Sequence, residues 1–186
     1  MSGVGVAAAA ATGQDEHVSS RRFASLVRTT VKTPWRPVGI VADEDGVVVA
    51  SWFGAPRDSD AAHIDLDSAR KVRHIDGASD AILAWVNGDV DAILDVPVDQ
   101  PGGPFQQKAW KAMRKVRGGT TVTYADVARM AGSPKAVRAA GTACALNHVA
   151  PFVPCHRIIH TDGTISAYGF GPDLKVLLLE HEGALL

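Results

Sequence analysis

TYADVARMAGSPKAVRAAGTACAL, from Thr123 to Leu146, is the stretch on which the architecture turns. Thr123 can cap a helix running from Tyr124 to Ala131, with Val127 and Met130 facing inward. Gly132-Ser133-Pro134 forms a tight turn, and Ser133 then caps a second helix from Pro134 to about Leu146, with proline at its first position. Two short helices joined by a glycine-containing turn make a helix-turn-helix pattern, although ordinary helical cores use such corners too. The second helix is almost smooth: Ala136, Ala139, Ala140, Gly141, Thr142, Ala143 and Ala145 leave little side-chain relief. Tight packing on another helix and entry into a narrow groove both fit it; in the second case Lys135 and Arg138 are the cationic contacts.

Upstream, Phe105 to Val116 has helical periodicity, with Phe105, Ala109, Ala112, Met113 and Val116 in one apolar stripe, Trp110 beside it, and Gly118-Gly119 as its stop. Residues 99–104 (Asp-Gln-Pro-Gly-Gly-Pro) are a natural linker. Before it, Phe23, Ser25, Val27, Thr29 and Val31 alternate as along a strand. Val38 to Val41 and Val47 to Phe53 flank a hairpin turn at Asp43-Glu44-Asp45-Gly46. Ser79 can cap a short helix to Val86, with Ile82, Leu83 and Val86 on one face, and Val90 to Val98 reads as extended. The expected fold is α+β. A disordered leader over residues 1–20 precedes a sheet-plus-helix domain over 21–98, and a mostly helical domain with the helix-turn-helix occupies 105–186.

The chain has 186 residues, 46% hydrophobic and 21% charged, which excludes a disordered chain; no apolar run is long enough for a membrane span. The Ala/Gly/Val-rich start lacks the basic region of a signal peptide, so a cytoplasmic protein is expected. The net charge of −1 hides a pattern. Residues 1–104 carry 9 basic and 15 acidic side chains (−6), residues 105–158 carry 9 and 1 (+8), and residues 159–186 carry 1 and 4 (−3). A basic stretch that can meet phosphates is thus flanked by acidic ones. His17, His63 and His74 lack metal-ligand spacing and read as surface histidines. The two cysteines, Cys144 and Cys155, are too few for a disulfide framework or a four-thiolate zinc site.

Pro151-Phe152-Val153-Pro154-Cys155-His156-Arg157-Ile158-Ile159 carries the chemistry. Pro154 stiffens the backbone before a cysteine, and a nearby imidazole can favour its nucleophilic thiolate. In an extended strand Cys155 and His156 would point to opposite faces, so proton transfer would need a turn or an intervening water. From these two residues alone, a buried cysteine beside a structural histidine fits as well as a nucleophile.

The wider pattern resembles the O6-alkylguanine-DNA alkyltransferases. Pro154-Cys155-His156-Arg157, preceded by Asn147 and followed by Tyr168 and by Leu178 to Glu182, carries the likeness. Phe105-Gln106 with Trp110, Thr123-Tyr124 and Pro134 to Ala139 extend it over Phe105 to Gly183. The resemblance implies a ribonuclease H-like first domain. It implies repair of duplex DNA bearing O6-alkylguanine, bound through the minor groove, by base flipping and one irreversible transfer to Cys155. It assigns His156 as the base acting through a water, Glu182 as its orienting carboxylate, Tyr124 as the acid for the leaving guanine, and Asn147 as the holder of the turn. Arg138 fills the gap left by the flipped base. Lys135, Ala136, Ala139, Thr123 and Arg157 accompany it at the DNA, and Pro151, Val153, Ser166, Tyr168 and Gly169 form the substrate pocket. No cofactor is implied. Some relatives hold zinc in the first domain; no cysteine stands there in this chain, so no metal is expected. A monomer is expected, with cooperative binding along DNA left open.

Ser166-Ala167-Tyr168-Gly169-Phe170-Gly171 departs from the family's glycine-rich pattern, which predicts an altered pocket wall and one donor fewer at Gly169. Cys144 is expected to be a packed, inert thiol. A non-catalytic helix-turn-helix regulator and a Cys-His hydrolase are the competing classes. The first is disfavoured by the absence of cysteines from residues 1–104 and, for relatives that lack an acceptor, by Cys155; the second by the lack of a readable triad.

Overall fold

A computed structural model of the chain describes residues 25–185; the expected leader and Phe23 lie outside them. The first half holds four strands, β1 Val27–Val31, β2 Val38–Ala42, β3 Val48–Phe53 and β4 Arg70–Lys71, in the order β3-β2-β1-β4. The first three are antiparallel neighbours, whereas β4 pairs in parallel with β1. The β2–β3 turn lies where the acidic run places it. Gly46 N–H donates to the Asp43 carbonyl at 3.1 Å, and the Asp43 carboxylate accepts from Asp45 and Val47 N–H. Both faces of this hairpin are covered. Val38, Ile40 and Ala42 join the main core, while Val41, Val49, Ala50 and Trp52 join a smaller one beneath Ala61 and Ala69. Gly39 is needed for this packing: a Cβ there would lie 2.4 Å from the Trp52 ring.

Five helices follow: α1 Ala78–Val86, α2 Pro104–Met113, α3 Tyr124–Met130, α4 Val137–Ala145 and α5 Pro172–His181. Several sequence expectations need correction. Ser79 does not cap α1; it is buried, and its hydroxyl accepts from Ile75 N–H, while Asp80 takes the Gly77 N–H at the helix start. Ile82 and Trp85 face the core, whereas Leu83 is exposed, because a helix beginning at Ala78 turns 78, 82 and 85 inward together. The segment 90–98 is not extended throughout: Ala92–Leu94 make a 3₁₀ turn, and Val98 alone bridges to Val48. Met130 is 40% exposed rather than inward. The helix expected from Pro134 starts at Val137, because Ala136 N–H closes a turn onto the Ser133 carbonyl. Lys135 and Ala136 therefore belong to the turn between α3 and α4.

One short pairing orders the second half. β5 Val122–Thr123 runs parallel to β6 Ile158–Ile159, with Val122 opposite Ile158 and Thr123 opposite Ile159. This places the start of α3 beside the chain leaving Cys155. The main core is continuous across residues 99–104. Trp85 and Ile93 from the first half are buried in the same cluster as Met113, Phe152, Leu174 and Leu178 from the second. No helix among the described residues is long and apolar enough to cross a membrane.

Candidate active site

The second half carries a cleft of about 610 Å³ whose wall includes Tyr124, Arg138, Gly141, Cys155, Ser166 and Tyr168. Cys155 opens a single 3₁₀ turn, Cys155–Arg157, closed by Arg157 N–H onto the Pro154 carbonyl at 3.0 Å. A turn, not a strand, therefore separates the thiol from the imidazole. Cys155 borders the cleft, and His156 points into the core.

There, His156 Nε2 lies 3.1 Å from Glu182 Oε1, and both side chains are fully buried. Burial pushes the imidazole pKa down, against the pull of the Glu182 carboxylate, so the ring is neutral near pH 7. The proton belongs on Nε2, facing the carboxylate, which leaves Nδ1 with its lone pair. Nδ1 is buried and has no hydrogen-bond partner among the described residues. Glu182 also accepts from Trp85 Nε1 at 2.9 Å, Arg157 Nε at 2.8 Å and Arg157 Nη2 at 2.7 Å. Burial alone would raise the Glu182 pKa, but His156 and Arg157 outweigh it and hold it at about 2.

Arg157 is consequently not at the DNA-facing surface, where the sequence placed it. It is fully buried, and besides Glu182 it donates to the Val116 and Val90 carbonyls, each at 2.7 Å. A guanidinium taken out of water needs a carboxylate and carbonyl acceptors, and here it has both. Pro151 and Val153 are also displaced from their expected place. Both are buried behind Cys155 rather than on the cleft wall, and Val153 acts through its backbone. Its carbonyl accepts from Cys155 N–H and from Asn147 Nδ2.

Asn147 spans the turn before the cysteine. Its Nδ2 lies 2.7 Å from the Val153 carbonyl and 3.2 Å from Cys155 Sγ, while Oδ1 accepts from Val149 N–H and Gln100 Nε2. Gln100 is a residue the sequence analysis missed. It is buried, its Oε1 accepts from His148 N–H, and its carbonyl accepts from Gln107. A glutamine within a Pro/Gly linker was its only signal. Burial raises the Cys155 pKa, with Asn147 and Lys175 pulling the other way, so the resting thiol is protonated. Cys144 also borders the cleft; burial raises its pKa well above the usual value, and its sulfur lies 3.9 Å from that of Met113.

Across the cleft, Tyr124 Oη lies 2.7 Å from Ser166 Oγ. Thr123 caps α3 as expected. Its hydroxyl accepts from Asp126 N–H and donates to the Asp126 carboxylate, so both of its functions are engaged locally. Arg138 is exposed at the cleft edge on α4, Lys135 is exposed on the turn, and Ala136 and Ala139 are half-buried. Tyr168, Ser166 and Gly169 line the cleft as expected. Two arginines from the first half hold this wall, and neither was foreseen. Arg57, anchored by the buried Asp60 at 2.5 Å, donates to the Gly169 carbonyl and lies 4.4 Å over the Phe170 ring. Arg36 donates to the Phe170 carbonyl at 2.8 Å. Contacts between sequence positions more than 100 residues apart leave no local pattern.

Residues 104–184 match the 6-O-methylguanine DNA methyltransferase, DNA binding domain, family model. The chain is 36% identical over 143 residues to the bifunctional transcriptional activator/DNA repair enzyme Ada of Escherichia coli. That match covers 77% of this chain but only 38% of the longer relative. It is 30% identical over 167 residues to the methylated-DNA–protein-cysteine methyltransferase of Shigella flexneri, covering 87% of this chain and 98% of that one. A Mycobacterium tuberculosis protein crystallised in complex with DNA superposes with a TM-score of 0.68 at 29% identity, over 83% of this chain and 92% of that one. With these matches around a buried Pro-Cys-His-Arg turn, the chain belongs to the methylated-DNA–protein-cysteine methyltransferase family.

Proposed function

We propose that this protein repairs duplex DNA by moving an alkyl group from O6 of guanine to Cys155 Sγ, once per molecule. The observation that carries this reading is the cysteine itself: a thiol on the wall of a roughly 610 Å³ cleft, with a neutral, carboxylate-oriented histidine next in the chain. An O6-alkyl carbon inside a base stack is out of reach of such a thiol, so the base must rotate into the cleft. In this reading Arg138, at the cleft edge on the smooth helix α4, occupies the gap left in the duplex, with α4 in the minor groove; its exposure beside the cleft supports that role.

The thiol must first lose its proton. His156 Nδ1 is the available base, acting through a water because the 3₁₀ turn directs the two side chains apart. The resulting imidazolium is stabilised by Glu182. The thiolate attacks the sp³ carbon, the S–C bond forms as the C–O bond breaks, and Tyr124 supplies a proton to the leaving guanine. A thioether has no easy hydrolytic route back, so each molecule acts once, and every atom of the product comes from the DNA and the thiol.

The test is intact mass after incubation with a duplex bearing O6-methylguanine. One methyl group on the peptide containing Cys155 is expected, and Cys155→Ala should abolish transfer while retaining binding. An unchanged mass, or a label on Cys144, would overturn the assignment.

A further inference from the structure

Lys175 is an unusual lysine. It lies on α5 with 1% of its surface exposed, and no carboxylate lies within ion-pair distance of it among the described residues. Its ammonium donates to the Ile158 carbonyl and to Ser166 Oγ at 2.7 Å, and Ser166 Oγ lies 2.7 Å from Tyr124 Oη. Three polar groups from α3, the cleft wall and α5 thus form one chain ending at the cleft.

That chain has a direction. An ammonium can only donate, so Ser166 Oγ accepts from Lys175. At rest the serine donates to the Ile158 carbonyl at 3.4 Å and Tyr124 O–H donates to Ser166 Oγ at 2.7 Å. When Tyr124 turns its proton to a substrate in the cleft that it lines, its oxygen becomes the nearer acceptor, and the Ser166 hydroxyl rotates to donate to it. A glycine at position 166 would offer no hydroxyl to make the link.

We propose that Ser166, held by Lys175, is a positioning residue that aims the Tyr124 proton at the substrate and stabilises the phenolate left behind. This rests on the alkyl-transfer reading above. As the S–C bond forms and the C–O pair remains with the guanine, Tyr124 gives its proton to the base. The phenolate then receives the Ser166 hydrogen bond, backed by the ammonium. The thiol proton is on His156 at that moment, and imidazolium and phenolate are neutralised through solvent after the transfer. Burial raises the Tyr124 pKa, so an unassisted phenolate in this wall would be unfavourable.

A double-mutant cycle tests it, read as the single-turnover rate constant on duplex DNA bearing O6-methylguanine, with DNA affinity measured in parallel. Ser166→Ala should slow transfer about tenfold with affinity unchanged, and by less than twofold in the Tyr124→Phe background. Lys175→Met should behave as Ser166→Ala does; if that variant fails to fold, the serine cycle decides alone. Equal losses in both backgrounds, or a loss confined to affinity, would overturn the proposal. Failure of the unaltered protein to become alkylated would instead overturn the underlying reading.

Discussion

Asn147 Nδ2 lies 3.2 Å from Cys155 Sγ and 2.7 Å from the Val153 carbonyl, so one amide both shapes the turn before the thiol and solvates its sulfur. Burial disfavours the thiolate, and the Asn147 amide is the first of the groups that oppose it. Asn147→Leu should therefore raise the pKa of Cys155, seen as a shift in the pH dependence of iodoacetamide alkylation. It should also leave the Val153 carbonyl unpaired, with a loss of about 1–3 kcal/mol in urea unfolding.

Arg157 gives a sharp test of placement. As a buried partner of Glu182, its replacement by Met should cost about 3–5 kcal/mol of stability, because the carboxylate loses its main cation. A DNA-contacting arginine would behave oppositely: stability would hold, and the salt dependence of DNA binding would weaken.

Acid should unfold the protein through the same cluster. His156 is depressed below its ordinary value of 6.5, so the unfolded chain binds its proton more readily, and stability falls as pH drops below about 6.5. Glu182 is lowered from 4.5 to about 2, so its contribution is complete above 4.5 and is lost as pH falls from there towards 2. That contribution is on the order of 3 kcal/mol. Urea midpoints at pH 7, 5.5 and 4 should decline in order, and Glu182→Gln should flatten the lower part of the decline.

Arg138 is exposed on α4 at the edge of the cleft, on the same wall as Cys155. Arg138→Ala should slow repair in duplex DNA at least tenfold, the scale of one lost contact of about 1–3 kcal/mol. The reaction with free O6-benzylguanine should be nearly unchanged. Equal losses on both substrates would remove Arg138 from base flipping.

The Arg57 contacts predict a strap on the cleft wall. Arg57→Ala removes the donor to Gly169 and the cation over Phe170, the latter worth about 0.5–2 kcal/mol. Amide hydrogen exchange at Gly169 to Gly171 should accelerate, whereas exchange in β2 and β3 should not.

Much of the second half was legible because its signals are local. The capping box at Thr123, the apolar stripe of α2 and the Pro-Cys-His-Arg turn are each set within a few residues. Element boundaries were less so: Ser133 favoured closing a turn with Ala136 over capping a helix, and Ser79 was drawn to Ile75. At Ser133 the backbone carbonyl takes the Ala136 N–H in a turn before the helix starts, whereas at Ser79 an upstream backbone donor takes the hydroxyl that a cap would have used.

By itself, then, the order of residues determined that a cysteine stands beside a histidine, after a basic pair of short helices, in an α+β chain. Periodicity, turn chemistry and charge are properties of neighbours, and neighbours are what a sequence lists. Only the tertiary structure decided that Arg157 faces Glu182 rather than DNA. It also decided that Gln100 steadies Asn147, that Arg57 crosses from the first half to the cleft wall, and that Lys175 reaches Tyr124 through Ser166. Each of these is a buried or cleft-side polar group that must find a partner on folding. The partner is set by packing of distant elements, so no spacing along the chain announces it.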